Sequence, residues 1–187
     1  MAIVVWSGLG LAWLGAAVLV LSDARRGLAV GLLLAAIGLA GIRAGEADAV
    51  DAGILLVFGL LASVIVLRRC PRRGWGLLPP GSTPRIVFSI VVGGLALWLG
   101  LGALDTPGDP PARAAAIIVM ALGAGRLLSV RDPRAALAAA SLIALGAGTL
   151  EALATTDATG ALIGSIAAVA LNLIPTAPDP EARGADG

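Results

Sequence analysis

The chain of 187 residues contains no Lys, no His, no Tyr and no Gln, and its one Cys is Cys70. Each absence removes chemistry. Without His and with a single thiol, the nitrogen and sulfur ligand sets of structural zinc, haem and iron–sulfur sites cannot be assembled. One Cys also excludes an internal disulfide and a C-x-x-C redox pair. Without Lys there is no Schiff base and no P-loop. Without His there is no Ser-His-Asp arrangement. The expectation is no cofactor, no metal and no catalytic residue. An intramembrane enzyme would have to work with carboxylates, Arg, Ser, Thr and one thiol.

Charge is scarce too. Charged residues make up 13% of the chain, apolar residues 58%, and the mean hydropathy is +0.97. Soluble domains run at about 25% charged and about 45–50% apolar. So few charges cannot cover a water-facing surface, and a soluble globular fold is ruled out. The net charge of +1 offers no bulk field for nucleic acid. All thirteen positive side chains are Arg. Together with abundant Ala and Gly, this fits a GC-rich genome.

What is present is a series of long apolar runs. A helix needs about 20 such residues to cross a hydrocarbon core of about 30 Å. Seven runs are predicted to do so: 2–21, 26–44, 49–67, 84–104, 111–130, 133–154 and 159–174. They are apolar on every face, unlike the alternating strands of a membrane β-barrel. The expected fold is an all-α polytopic transmembrane bundle. Helices one to three fill 1–68, a basic loop 69–83, helix four 84–105, helices five to seven 111–174, and a polar tail 175–187. The seventh run is short and stops at Pro175. The connections carry start and stop signals. Asp132-Pro133, Thr83-Pro84 and Asp109-Pro110-Pro111 each set an acceptor before a Pro at a helix start. Gly45 reads as a stop after the second run, and Thr156 or Asp157 as a cap for the seventh. The first run lacks a basic leader and exceeds the apolar length of a signal peptide, so it reads as a retained helix.

Arg concentrates in cytoplasmic loops. Eleven of the thirteen fall in alternate connections and the tail, from Arg25 and Arg26 to Arg183. Only Arg43 and Arg113 fall on the other side, which collects Glu46, Asp48, Asp51, Asp105, Asp109, Glu151 and Asp157. This predicts a multi-pass plasma (inner) membrane protein with its N-terminus outside and its C-terminus in the cytoplasm.

Shifting the chain by 108 positions superposes Leu34 on Leu142, Ala36 on Ala144 and Gly38 on Gly146. Runs one to three then map on five to seven in the same orientation, with run four as linker. This 3+1+3 parallel plan resembles in topology that of the SWEET transporters, without their Pro-Gln loop signature. The stretch from Ser129 through Pro133-Arg134-Ala135-Ala136-Leu137 to Gly148 is a Pro turn followed by an apolar helix with late Gly. It resembles the short-repeat unit of HdeD-like bacterial membrane proteins, and residues 27–41 resemble it without the Pro. That likeness implies a small stress-associated inner-membrane protein and brings no catalytic residues with it.

A charge near the bilayer centre points to function. Arg43 and Arg126 lie near the ends of their runs, where long side chains snorkel, and the acids of the outer rim read as solvated loop ends. Among mild polar residues inside the runs, Asn172, Ser63 and Ser165 are the candidates for a transport path. Arg68, Arg69, Arg72 and Arg73, with Trp75, form a basic membrane edge suited to anionic lipid or an acidic partner. Gly27 with Gly31, Gly41 with Gly45, and Gly160 with Gly164 are GxxxG pairs, which let helices approach closely. The expected partners are the lipid bilayer and other membrane subunits or further copies of the chain. The expected function is a non-catalytic accessory or scaffold subunit of a membrane complex. The alternative is a small-solute transporter of 3+1+3 form.

Overall fold

The computed structural model describes residues 2–46, 48–69, 109–130, 132–155 and 157–176, together with 90, 91, 93–95 and 98. The protein is an all-α bundle. Its helices are α1 (Ala2–Leu21), α2 (Arg25–Gly45), α3 (Ala49–Arg69), α4 (Pro110–Ser129), α5 (Pro133–Thr155) and α6 (Thr159–Leu173). Helix is what a lipid environment requires, because it satisfies every backbone polar group within one segment. The first five are long and apolar enough to cross a membrane. α6 has 15 residues, about 22 Å of rise, short of the hydrocarbon thickness.

Local signals set most boundaries. α4 and α5 begin on the expected prolines. Asp132 Oδ1 accepts from the Arg134 amide at 3.1 Å, and Asp157 Oδ1 accepts from the Thr159 amide at 3.0 Å. Two expected signals act otherwise. Asp109 makes no capping bond to α4; its carboxylate faces Arg43 instead. Gly45 is still helical, and Glu46 ends α2 at φ −89°, so no left-handed glycine stop is used. Thr83, Pro84 and Thr156 lie outside the described residues.

Within each half consecutive helices run antiparallel, α1 with α2, α2 with α3, α4 with α5 and α5 with α6, and long-range contacts show which ends meet. Arg126 near the end of α4 reaches Ser22 just after α1. Arg69 at the end of α3 reaches Leu173 at the end of α6. Arg43 near the end of α2 lies beside Asp109, just before α4. One end therefore carries Arg25, Arg26, Arg68, Arg69, Arg126 and Arg134. The other carries Arg43 and Arg113 with Glu46, Asp48, Asp51, Asp109, Glu151 and Asp157. The chain leaves α3 at the first end and enters α4 at the second. The described residues between them, from Ile90 to Trp98, are helical. Equivalent helices of the two halves pack on each other: α1 on α4, α2 on α5 and α3 on α6.

The hairpin seams are closed by small residues. A Cβ on Gly38 would stand 2.3 Å from the Ala12 nitrogen and 2.6 Å from the Gly8 oxygen. One on Gly15 would stand 2.3 Å from the Ala35 nitrogen and 2.7 Å from the Gly31 oxygen. The same register recurs 108 positions later between α4 and α5. Gly123, the counterpart of Gly15, meets the Ala139 oxygen at 3.0 Å, and Gly146, the counterpart of Gly38, meets the Ala116 oxygen at 2.9 Å. The repeat is thus a repeat of contacts. Of the expected glycine pairs, Gly31, Gly160 and Gly164 sit in seams against backbone, and Gly27 is buried. Gly41 and Gly45 do not hold backbones together. Gly41 has only ordinary contact with Gly8 at 3.9 Å, and Gly45 faces the Val5 side chain. The reason is register: the α1–α2 seam uses Gly31, Ala35 and Gly38, and the next seam position is Ile42.

Gly38→Ala should destabilise the bundle by about 3 kcal/mol, since the intruding methyl group meets backbone that moves only if the helices part. Gly10→Ala, where the added methyl meets nothing within 4 Å, should be neutral or stabilising by up to about 1 kcal/mol. Thermal unfolding of the two variants in mild detergent checks the contrast. Equal effects would contradict the seam assignment.

Candidate functional site

Three polar constellations stand out, and each is built where helices end. The first surrounds Arg43 at the acid-bearing end. Arg43 is buried, contrary to the snorkelling expected of it. Its Nε and Nη2 donate to Asp51 Oδ2 at 3.2 and 2.8 Å, Nη2 to Asp48 Oδ2 at 2.5 Å, and Nη1 to Glu46 Oε2 at 3.1 Å. Asp109 Oδ2 lies 3.9 Å from Nη1. One guanidinium thus gathers carboxylates from the α2–α3 turn, the first turn of α3 and the start of α4. The acids expected to be solvated loop ends are here a packed cluster, with the Asp51 side chain only 1% exposed. The physical reason is α2 itself, which reaches past Arg43 to Gly45 and turns it beneath the connection. Asp48 adds a cap, its Oδ1 accepting from the Asp51 amide at 3.3 Å.

Three close carboxylates against one cation leave negative charge in excess. Burial, chiefly, and then the Asp109 charge raise the pKa of Glu46 above the ordinary carboxylate value, with Arg43 opposing. Among the described residues no group of acids, Cys or His is arranged to hold a metal ion. The cluster works as an electrostatic clamp joining α2, α3 and α4.

The second constellation is its counterpart at the opposite end. Arg126 is completely buried, again against the snorkelling expectation. Its Nη2 donates to the Ser22 carbonyl at 2.9 Å and to Asp23 Oδ1 at 2.6 Å, tying α4 to the α1–α2 turn. Its Nε and Nη1 have no hydrogen-bond partner. A buried guanidinium is costly unless it is paired, so Asp23 is the group that makes this position tolerable.

The third constellation holds the expected transport-path residues. Asn172 is buried on α6, and its Nδ2 donates to Ser141 Oγ at 2.7 Å and to the Ala168 carbonyl at 2.8 Å. Ser141 in turn donates to the Leu137 and Ala168 carbonyls. This network pins α5 to α6. Ser63 donates to the Gly59 carbonyl of its own helix at 2.8 Å. Ser165 is buried with its hydroxyl unpartnered. No hydrogen bond joins the three candidates. Asn172 does line a cleft of about 280 Å³ at the Arg-bearing end, shared with Arg69, Arg134 and Thr176. Arg68 and Arg69 close α3 and are exposed. Arg72, Arg73 and Trp75, the rest of the basic edge, lie outside the described residues.

Ser141, Asp23, Arg134 and Thr176 were not singled out from the sequence. Ser141 had a readable signal, being a polar residue deep in an apolar run. The role of Asp23 had none, because its partner is about 100 positions away. No family model, curated protein or solved structure matches the chain.

Two outcomes follow from the clamps. Glu46 is protonated more readily when folded than when unfolded. Its contribution therefore favours folding at low pH and is lost as pH rises from the ordinary carboxylate value through the raised one. Glu46→Gln should flatten that decline, measured as melting temperature against pH in detergent; an unchanged slope would contradict it. Asp23→Asn should cost about 3 kcal/mol by leaving the Arg126 charge buried without a counter-ion. Chemical denaturation at neutral pH measures this, and a loss below about 1 kcal/mol would show that Asp23 is not the essential partner.

Proposed function

We propose that this chain is a non-catalytic integral membrane protein acting as an accessory or scaffold subunit of a membrane complex. The observation that supports this most is how its polar interior is used. The buried side chains of Arg43, Arg126, Ser141 and Asn172 are engaged in holding helices to one another. The seams between them are sealed by glycine against backbone. Such an interior favours a rigid packed body over a moving one. For the alternative, a small-solute transporter, Ser63, Ser165 and Asn172 would have to converge on one path. No hydrogen bond joins the three, and Asn172 is engaged with Ser141 of the neighbouring helix instead.

The outward faces are apolar, with Trp6 and Trp13 on α1, Val57 and Leu60 on α3, and Ile163 and Ile166 on α6. These faces suit lipid and other transmembrane helices alike. The segregation of Arg to one end supports an orientation with that end, and the C-terminus, in the cytoplasm. The likeness to HdeD-like hairpins adds the bacterial inner membrane as the proposed compartment.

Photo-crosslinking from Trp13, Val57 and Ile163 in the native membrane, followed by purification in mild detergent, tests the reading. A discrete protein adduct from at least one face, absent from the others, is expected. A chain recovered alone from every position would overturn it. Solute uptake into vesicles containing the purified chain would favour the alternative.

A further inference from the structure

The cleft at the Arg-bearing end lies where α3, α5 and α6 meet, and its lining is chemically unusual. Arg69 and Arg134 both face it. Arg69 Nη1 donates to the Leu173 carbonyl at 2.7 Å, and Arg134 Nε donates to Thr176 Oγ1 at 2.7 Å. A second Arg134 nitrogen, Nη1, donates to the Arg69 carbonyl, which sets the two cationic residues side by side. All these acceptors are neutral. Among the described residues neither Arg69 nor Arg134 has a carboxylate partner, whereas Arg43 and Arg126 both do. Two guanidinium groups that line one cleft, with no carboxylate partner among the described residues, attract an anion to the space they share. Their forked donors match the oxygens of a phosphate.

The remaining polar atoms extend the match. Both amide hydrogens of Asn172 are committed, to Ser141 and to Ala168. That fixes the amide and leaves Oδ1 to accept from a ligand hydroxyl. Thr176 Oγ1 accepts from Arg134, so its own proton is available for donation. Val66 and Leu137 form an apolar wall. The cleft opens where Leu67, Leu173 and Ile174 are exposed at the ends of α3 and α6, the level at which apolar surface gives way to charge.

We propose that this cleft binds a phosphate ester carrying a hydroxyl group, of the glycerophosphate type. An acidic phospholipid headgroup and a free glycerophosphate present the same chemistry. The wall and the membrane-edge position favour the lipid. Arg69 and Arg134 hold the phosphate, Thr176 donates to it, and Asn172 accepts from the ester's hydroxyl.

The full chain is reconstituted in nanodiscs of phosphatidylcholine with and without phosphatidylglycerol, released, and weighed by native mass spectrometry. Wild type should retain one phosphatidylglycerol and melt at a higher temperature when it is present. Arg69→Gln and Arg134→Gln should each weaken retention about fivefold, the effect of one basic residue at a membrane surface. Arg26→Gln, an equal loss of charge at the same end but outside the cleft, should leave retention unchanged. If Arg134→Gln fails to fold in phosphatidylcholine, Leu137→Trp fills the cleft from its apolar wall and should abolish retention. In a second arm, glycerol 3-phosphate is added to the detergent-solubilised chain. A rise in melting temperature there that is lost in Arg134→Gln or Leu137→Trp, without lipid retention, upholds the site and assigns the free source. No response in either arm overturns the proposal. So does a weakening by Arg26→Gln equal to that by Arg69→Gln, which would mean diffuse surface attraction.

Discussion

Direct backbone contact between antiparallel helices is the constraint on which the rest of this structure depends. In lipid, apolar side chains gain little by leaving one apolar surface for another, so helices associate through close van der Waals contact. That contact is available only where no side chain intervenes. Gly8, Gly15, Gly31 and Gly38 provide it between α1 and α2, Gly123 and Gly146 between α4 and α5, and Gly148, Gly160 and Gly164 between α5 and α6. Once the seams are closed, register follows, and register decides where each polar group lands. Arg43 comes beneath the α2–α3 connection and Asn172 beside Ser141 because the glycine positions leave the helices no other alignment.

The two charged clamps are consequences of that alignment. Both are buried arginines near helix ends, at opposite ends of the bundle, and both reach between the halves. Isolated ion pairs at a surface contribute little, whereas these guanidinium groups are removed from water and become destabilising if their acids are removed. Their effect is to lock both ends of the body. Among the described residues Arg69 and Arg134 differ in having only neutral partners, and this separates the cleft from the clamps.

The duplication also becomes clearer in three dimensions. A few coincident Leu, Ala and Gly at a shift of 108 are weak evidence in a chain with 26 Gly. The matching contacts, Gly15 with Gly31 against Gly123 with Ala139, tie those positions to one physical role. The two halves differ in their charges. Arg43 corresponds to Glu151 and Asp51 to Thr159, so only the first half carries the clamp at that end.

The sequence by itself determined the class of the protein. Scarce charge and long apolar runs dictate membrane-spanning helices, because only helices and closed barrels satisfy a backbone in hydrocarbon and the runs lack a barrel's alternation. It also determined the limits of the six helices α1 to α6 to within a residue or two, since Pro and Asp act on their own neighbours. The alternation of Arg and acid between ends was readable as well, because it depends only on counting crossings. The tertiary structure alone decided which glycines are seams, which arginines are buried and which have no carboxylate partner among the described residues. Those properties depend on partners about 10 to about 100 positions away. A snorkelling Arg and a buried one look the same in a linear chain; they differ only in what the neighbouring helix brings alongside.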